Sequence, residues 1–404
     1  MALVPLFFTV FVDLIGFGII IPFLPFYAEH FQATPDQVTL LIATYALAQF
    51  VFAPLWGRLS DRIGRKPVLL VTLSGLSACY MWLGFADSLM MLFVVRAVAG
   101  AMAGNIAVAQ AYVADVTPPE HRVRGIGRIG AAFGLGFFLG PALGGVLAGP
   151  DPGNPDIFVP AMAAAAMTAV AFIIAVFFLS EPDRAPAPDQ GQAQAQAPRP
   201  PAMGRIAAMM AALGKPGLGM LLVMLFLLPF TFSGMESTLA LWTEREFGWG
   251  ALQNGYIYSF LGLVAVVTQG GLIGPLTRAI GADRILVLGP ALVALGFAAA
   301  PLVHGQILVF GSFGLVVFGI SLASPTINSL ISLEAGPGQH GMYLGVAQSV
   351  ASLARIFGPA WAGFCFVALG RDWPYFTGAM VMAVMLVLAL RRLAAGPDRP
   401  SLSP

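Results

Sequence analysis

The chain has 404 residues, 58% of them hydrophobic and 10% charged, with a mean hydropathy of +0.85 and a formal net charge of +1. A soluble domain of this length needs about a quarter of its residues charged, so composition argues against a soluble enzyme or binding module. No basic stripe is present for nucleic acid, and Cys79 and Cys365 both fall inside apolar runs, which argues against a disulfide framework or a zinc site.

Apolar runs long enough to cross a bilayer recur along the chain. They predict twelve spans, at about 3–26, 38–57, 68–86, 89–113, 127–148, 158–180, 217–240, 253–275, 285–303, 306–330, 342–369 and 374–394. The expected fold class is all-α integral membrane. Its predicted organisation is a six-helix bundle over 1–180, a linker over 181–216, a second six-helix bundle over 217–394 and a tail over 395–404. The opening Met-Ala-Leu-Val-Pro lacks a basic leader and Asp13 interrupts the apolar run, so the first span is read as retained.

Span 1 holds Asp13, followed by Gly16, Gly18, Pro22 and Pro25. A carboxylate at the bilayer centre costs about 2.5–3.5 kcal/mol on insertion scales, and such groups are rarely idle. Burial lets a carboxyl hold and release a proton near neutral pH; the alternative is a structural acid bonded to a neighbouring helix. Span 2 contributes Tyr45 and Gln49 and ends in a hinge, Gly57-Arg-Leu-Ser-Asp61-Arg62-Ile-Gly64-Arg65-Lys66. A segment this charged lies outside the hydrocarbon. Gly57 and Gly64 suit tight turns, Asp61 can accept from an arginine or a helix N-terminus, and the cations can hold anionic lipid heads.

In span 4, Arg96 starts Arg-Ala-Val-Ala-Gly100 and Asn105 and Gln110 follow; Asp115 closes the span, with Arg122 and Arg124 beyond it. Arg96 either pairs with a buried carboxylate or snorkels to the interface. In span 5, Gly136, Gly140 and Gly144 recur every four residues, forming a smooth stripe for close helix approach, with Pro141 to bend the helix and Gly145 beside it. The tract Ala-Pro-Ala-Pro-Asp-Gln-Gly-Gln-Ala-Gln-Ala-Gln-Ala-Pro-Arg-Pro-Pro in the linker is too poor in apolar residues to fold alone. Glu236 is the one acid inside span 7. It can carry a proton, offset a cationic substrate or pair with Arg355 in span 11. Gln269, Asn328 and Gln348 are further polar residues within spans. With Tyr45, Gln49, Asn105 and Gln110 they either line a substrate path or bond helices together.

Sixteen of the twenty lysines and arginines fall on one side if both termini face the cytoplasm; Arg245 and Arg371 fall on the other, and Arg96 and Arg355 lie within spans. This is a strong positive-inside bias and supports an even span count. The chain also repeats. Gly57-Arg-Leu-Ser-Asp-Arg-Ile-Gly64 is echoed by Gly274-Pro-Leu-Thr-Arg-Ala-Ile-Gly281, and Gly140-Pro141-Ala-Leu-Gly144 by Gly358-Pro359-Ala-Trp-Ala-Gly363. Two landmarks with nearly one offset indicate two related halves. The second copy is degenerate, with Arg278 in place of Asp61 and Ala282-Asp283 in place of Arg65-Lys66.

The hinge fits G-x-L-x-D-R-x-G-R-[KR] and resembles the loop between spans 2 and 3 of the major facilitator superfamily. D-x-x-G-x-G-x-x-x-P-x-x-P in span 1 and G-x-x-x-G-P-x-x-G-G in span 5 resemble its drug:proton antiporter branch, close to tetracycline-type exporters. The resemblance implies two pseudo-symmetric six-helix bundles and alternating access. It further implies proton-coupled export, with Arg96 linked to proton transfer and the hinge, Asp115, Arg122 and Arg124 acting as a cytoplasmic gate. Tetracycline exporters carry an acid in span 3, where this chain has Cys79, so the implied substrate is a small lipophilic organic compound or drug. No cofactor is implied, and the protein is expected to be a monomer in the inner (plasma) membrane, meeting protons, lipids and substrate. A proton-coupled importer or facilitator of a metabolite is the alternative on the same fold. A non-transporting receptor or scaffold is the alternative of another class. No phosphate-binding loop or hydrolase triad is present.

Overall fold

A computed structural model describes residues 3–117, 122–149, 151, 155–182, 205–334 and 340–394. Among them are twelve helices long and apolar enough to cross a membrane: Leu3–His30, Pro35–Ile63, Arg65–Gly84, Leu89–Val116, Ile129–Ala148, Phe158–Phe178, Gly217–Phe247, Ala251–Ile280, Ala282–Leu302, Gln306–Glu334, Gly345–Ala368 and Trp373–Ala394. They are numbered here as spans 1 to 12. The chain is therefore a multi-pass membrane protein with its backbone polar groups satisfied within helices, as hydrocarbon requires.

Span 2 is longer than its apolar run. It starts at Pro35, whose fixed φ suits the first helical position, and continues through Arg58, Asp61 and Arg62 to Ile63. The hinge is thus the polar end of a helix and a single-residue turn. Gly64, at φ 114°, reverses the chain into span 3, and Gly281, at φ 82°, does the same between spans 8 and 9. Both need the left-handed backbone open to glycine. In the 181–216 segment, residues 183–204, and with them the whole low-complexity tract, lie outside the described residues, as does the tail 395–404. Within the expected linker, Arg205–Leu213 is a helix; its Ala, Met and Leu residues are good helix formers.

The sequence repeat reappears in packing. Spans 1 and 5 cross where Gly18 meets Gly140, so a Cβ on Gly140 would lie 2.7 Å from the Gly18 Cα. Spans 7 and 11 cross where Gly234 meets Gly358, with the Gly358 carbonyl oxygen 3.2 Å from a Cβ on Gly234. Each half packs its first span on its fifth and sixth and its third on its fourth and sixth. Between halves, span 5 lies on span 8 and span 11 on span 2, the exchange that a two-fold relation demands.

Among the described residues the halves pack along spans 5 and 8 from mid-span, where Gly134 lies against Val266 and Gly262 against Phe137, to the face opposite the hinge. There Gly145 lies against Ala251 and Gly255, Leu252 N donates to the Gly149 carbonyl, and Gly363 lies against Asp36 and Thr39. Toward the hinge face the same spans diverge. A Cβ on Gly57, Gly127, Gly130, Gly270, Gly274 or Gly345 would meet nothing within 4 Å. The bundle is closed at the far face and open at the hinge face.

Candidate functional site

Two helix breaks build the site. Span 1 is interrupted at residues 21–23, around Pro22. Span 4 is interrupted at Ala103–Gly104. The carbonyls freed in span 4 are taken up from span 2: Trp56 Nε1 donates to Ala101 at 2.5 Å and Gln49 Nε2 to Ala103 at 3.1 Å. The break ends at Asn105, whose amide donates to Asp13 Oδ2 across the N-terminal half. Asp13 is 3% exposed, and its other oxygen makes no hydrogen bond among the described residues. The Thr168 hydroxyl of span 6 lies beside it, near enough to interact and without completing a hydrogen bond, so it too is a buried oxygen without a partner.

Arg96 does not snorkel. It is 5% exposed and stands over the Tyr45 ring, 4.4 Å from the centroid, a cation–π contact between spans 4 and 2. Its Nε is buried without a hydrogen bond. Tyr45 interacts electrostatically with Asp13 on one side and with Arg355, from the other half, on the other. Glu236 has Arg355 and Arg96 as its charged neighbours. Neither forms an ion pair with it at contact distance, so the expected Glu236–Arg355 pairing is one of proximity, shared with Arg96. Arg355 is exposed although it sits mid-span, which puts it in the open cleft between the halves. The Tyr258 hydroxyl fixes the Glu236 backbone by donating to its carbonyl at 2.8 Å. An aromatic wall completes the cleft: Phe17 lies 5.5 Å from Tyr45 and 5.9 Å from Phe137, which stacks on Phe133 at 6.3 Å.

The other polar residues separate. Gln49 and Asn105 are engaged by helix bonding, and Asn328 donates to Ser324 within its own helix at 3.0 Å. Gln110, Gln269 and Gln348 are exposed, Gln269 within a π-helical turn at Thr268–Leu272. Gly136, Gly140 and Gly144 all face span 1, and Gly145 turns to span 8, so this stretch joins one helix of its own half to one of the other.

The hinge is a network inside the N-terminal half. Arg65 binds Asp61 at 2.6 Å and Asp115 at 2.8 Å, and also donates to Ser60. The helix N-terminus at Arg65 and Lys66 is capped by Glu181, which accepts both backbone N–H groups at 2.6 and 2.8 Å. Lys66 Nζ donates to the Val176 carbonyl. The side chains of Arg122 and Arg124 lie outside the described residues. A Cβ on Gly57 would meet nothing within 4 Å, and Arg62 is exposed. In the C-terminal half the charges are exchanged: Arg392, buried at the end of span 12, binds Asp283 at 3.3 Å and Glu334 at 2.8 Å. At the far face, Glu29 of span 1 binds Arg245 of span 7 at 3.0 Å, the one salt bridge between halves among the described residues. Arg371 supports it by donating to the Arg245 carbonyl and pairing with Glu246.

Sequence reasoning did not single out Glu181, Glu29 or the bridge that Arg245 makes between the halves. Glu181 looked like the first linker residue. Arg245 stood out only as an exception to the charge bias, which was the available signal.

Two six-span bundles, closed at one face around buried charges, define a membrane transporter that moves a small molecule by alternating access. The chain belongs to the Major Facilitator Superfamily, whose family model matches residues 6–359. It is 28% identical to the class C tetracycline resistance protein of Escherichia coli, over 97% of this chain and 96% of that protein. It is 31% identical to major facilitator superfamily domain-containing protein 10 of Bos taurus, over 89% and 79%. The crystal structure of the human organic anion transporter MFSD10 (TETRAN) superposes with a TM-score of 0.70 at 25% identity, covering 96% of this chain and 98% of that one.

Proposed function

We propose that this chain exports small organic compounds from the cytoplasm in exchange for protons, from the plasma membrane, as a monomer with both termini and the hinge face cytoplasmic. The supporting observation is the cleft. Glycines at the hinge ends of spans 2, 5, 8 and 11 face open space, and the exposed Arg355 lies mid-span with Glu236 and Tyr45 as electrostatic neighbours, Arg96 neighbouring both as well. Relatives named for tetracycline resistance, multidrug resistance (27% identical, Bacillus subtilis) and organic anion transport support a drug-like substrate.

In this reading Asp13 carries the proton. The Thr168 hydroxyl beside it can donate to the ionised carboxyl or accept from the protonated one, so this crossing can accommodate Asp13 in either charge state. Neutralising a charge at the crossing of spans 1, 4 and 6 changes which arrangement of the halves is favoured. The Arg65 network and the Glu181 cap hold the hinge end of the N-terminal half rigid, and the Glu29–Arg245 bridge keeps the far face shut. When the halves rock, the hinge ends of spans 2, 5, 8 and 11 approach and the far-face contacts part.

Purified protein in liposomes with an internal pH dye tests this. A panel of lipophilic compounds should trigger proton movement that Asp13→Asn abolishes. Compounds that equilibrate with no proton movement would make the chain a facilitator and Asp13 a structural acid.

A further inference from the structure

Among the described residues, the acidic and basic side chains deep within the spans are Asp13, Arg96, Glu236 and Arg355. Asp13 has its own partner in Asn105 and lies on the N-terminal side of Tyr45. That leaves two guanidiniums facing one carboxylate in the cleft. Neither Arg96 nor Arg355 makes a hydrogen bond or ion pair among the described residues, and the Arg96 Nε is buried with none. For Arg96, buried at 5% exposure, a charge removed from water without a partner is costly, while Arg355 is exposed with its donors open; membrane proteins retain charges within spans where a ligand or counter-ion uses them. The arginine fork suits an oxyanion, which it can hold through two parallel hydrogen bonds. Glu236 neighbours both arginines without contacting either closely, so it offsets one charge and leaves their donors free.

We infer that the cleft binds the anionic head group of an aromatic organic acid on Arg355 and Arg96, with Glu236 as the carboxylate that competes for the same guanidiniums. This rests on the reading of the cleft as the transport site. The aromatic body lies along Phe17, Tyr45 and Phe137, whose rings form a continuous apolar wall beside Arg96. A cationic compound meets two unpaired guanidiniums and is disfavoured; a neutral one leaves their donors unsatisfied. An anion on Arg355 and a proton on Glu236 also favour each other, since the proton removes the negative charge that would repel the anion and compete for the guanidiniums. Exchange of a proton against an anion therefore falls to Asp13, which sits outside this trio.

The test is equilibrium binding by the full chain in lipid nanodiscs with three probes of one aromatic body and fixed charge: naphthalene-2-sulfonate, 2-naphthol and 2-naphthyltrimethylammonium. The sulfonate should bind at least tenfold more tightly than either of the others. Arg355→Gln should remove that preference, Arg355→Lys should keep part of it, and Glu236→Gln should tighten the sulfonate severalfold while leaving 2-naphthol unchanged. The charge series in the unaltered protein decides the matter even where a variant does not fold. Binding the cation as tightly as the sulfonate, or an undiminished preference in Arg355→Gln, overturns the anion site. Either result leaves standing the proton-flux test of transport, which fails separately if no compound moves protons.

Discussion

Glu29→Gln should open the far face. The Glu29–Arg245 bridge is 3.0 Å long, and its side chains keep 23% and 33% of their surface exposed. Partly exposed pairs of this kind contribute about 0.5–1 kcal/mol, and because this one spans the halves, its whole contribution favours the arrangement closed at the far face. Removing it should raise the population open at the far face about 2- to 5-fold relative to the other, since 1.4 kcal/mol corresponds to tenfold. Spin labels at Gly57→Cys and Gly274→Cys read the two populations. These positions are repeat-related, lie at the hinge ends of spans 2 and 8, and face open space. Cys79 and Cys365 are buried and can be replaced by alanine in that background. The pulsed electron–electron distance distribution should gain a short component in Glu29→Gln, gain the same in Arg245→Gln, and gain no more in the double variant. An unchanged distribution, or a shift to longer distances, would refute the assignment of this bridge as the far-face latch.

Gly140→Val should destabilise the N-terminal half by about 1–3 kcal/mol, as overpacking does, because the added Cβ meets the Gly18 Cα at 2.7 Å and the Ile15 carbonyl at 2.8 Å, backbone atoms that cannot rotate away. Gly130→Val, with nothing within 4 Å, should melt within a few degrees of the unaltered protein; equal melting of the two variants would contradict this. Glu181→Ala removes both bonds at the start of span 3 and should cost about 1–2 kcal/mol. Hydrogen exchange at the Arg65 and Lys66 amides should accelerate about tenfold, and unchanged exchange would mean that water replaces the cap without loss.

The span count, the two halves and the hinge were legible because each is a local pattern: hydrocarbon-length runs, a repeated Gly-containing phrase, charge packed into ten residues. The buried acids were legible as chemical anomalies, as was Arg355. What escaped depends on contacts far apart in the chain. Glu181 caps a helix that begins 116 residues earlier, and Arg245 finds Glu29 across 216 residues. The break in span 4 was hidden because Ala103 and Gly104 are unremarkable in an apolar run; its stability comes from Trp56 and Gln49 of another span. Gln49 therefore reads as a cavity residue in the sequence and as a helix tie in the structure. The second hinge looked degenerate because its cation sits at Arg392, at the other end of the half, while its acids, Asp283 and Glu334, occupy repeat-related ends of spans 9 and 10.

The central claim is that a proton on Asp13 drives uphill export while the cleft itself moves substrate. Proteoliposomes carrying either the unaltered chain or Asp13→Asn can be given a pH jump and assayed for substrate accumulation against its gradient. Substrate exchange without any pH gradient is followed in parallel. The account predicts that Asp13→Asn loses accumulation, by at least tenfold, and keeps exchange. Accumulation that persists in Asp13→Asn would contradict it and place the coupling proton on another group.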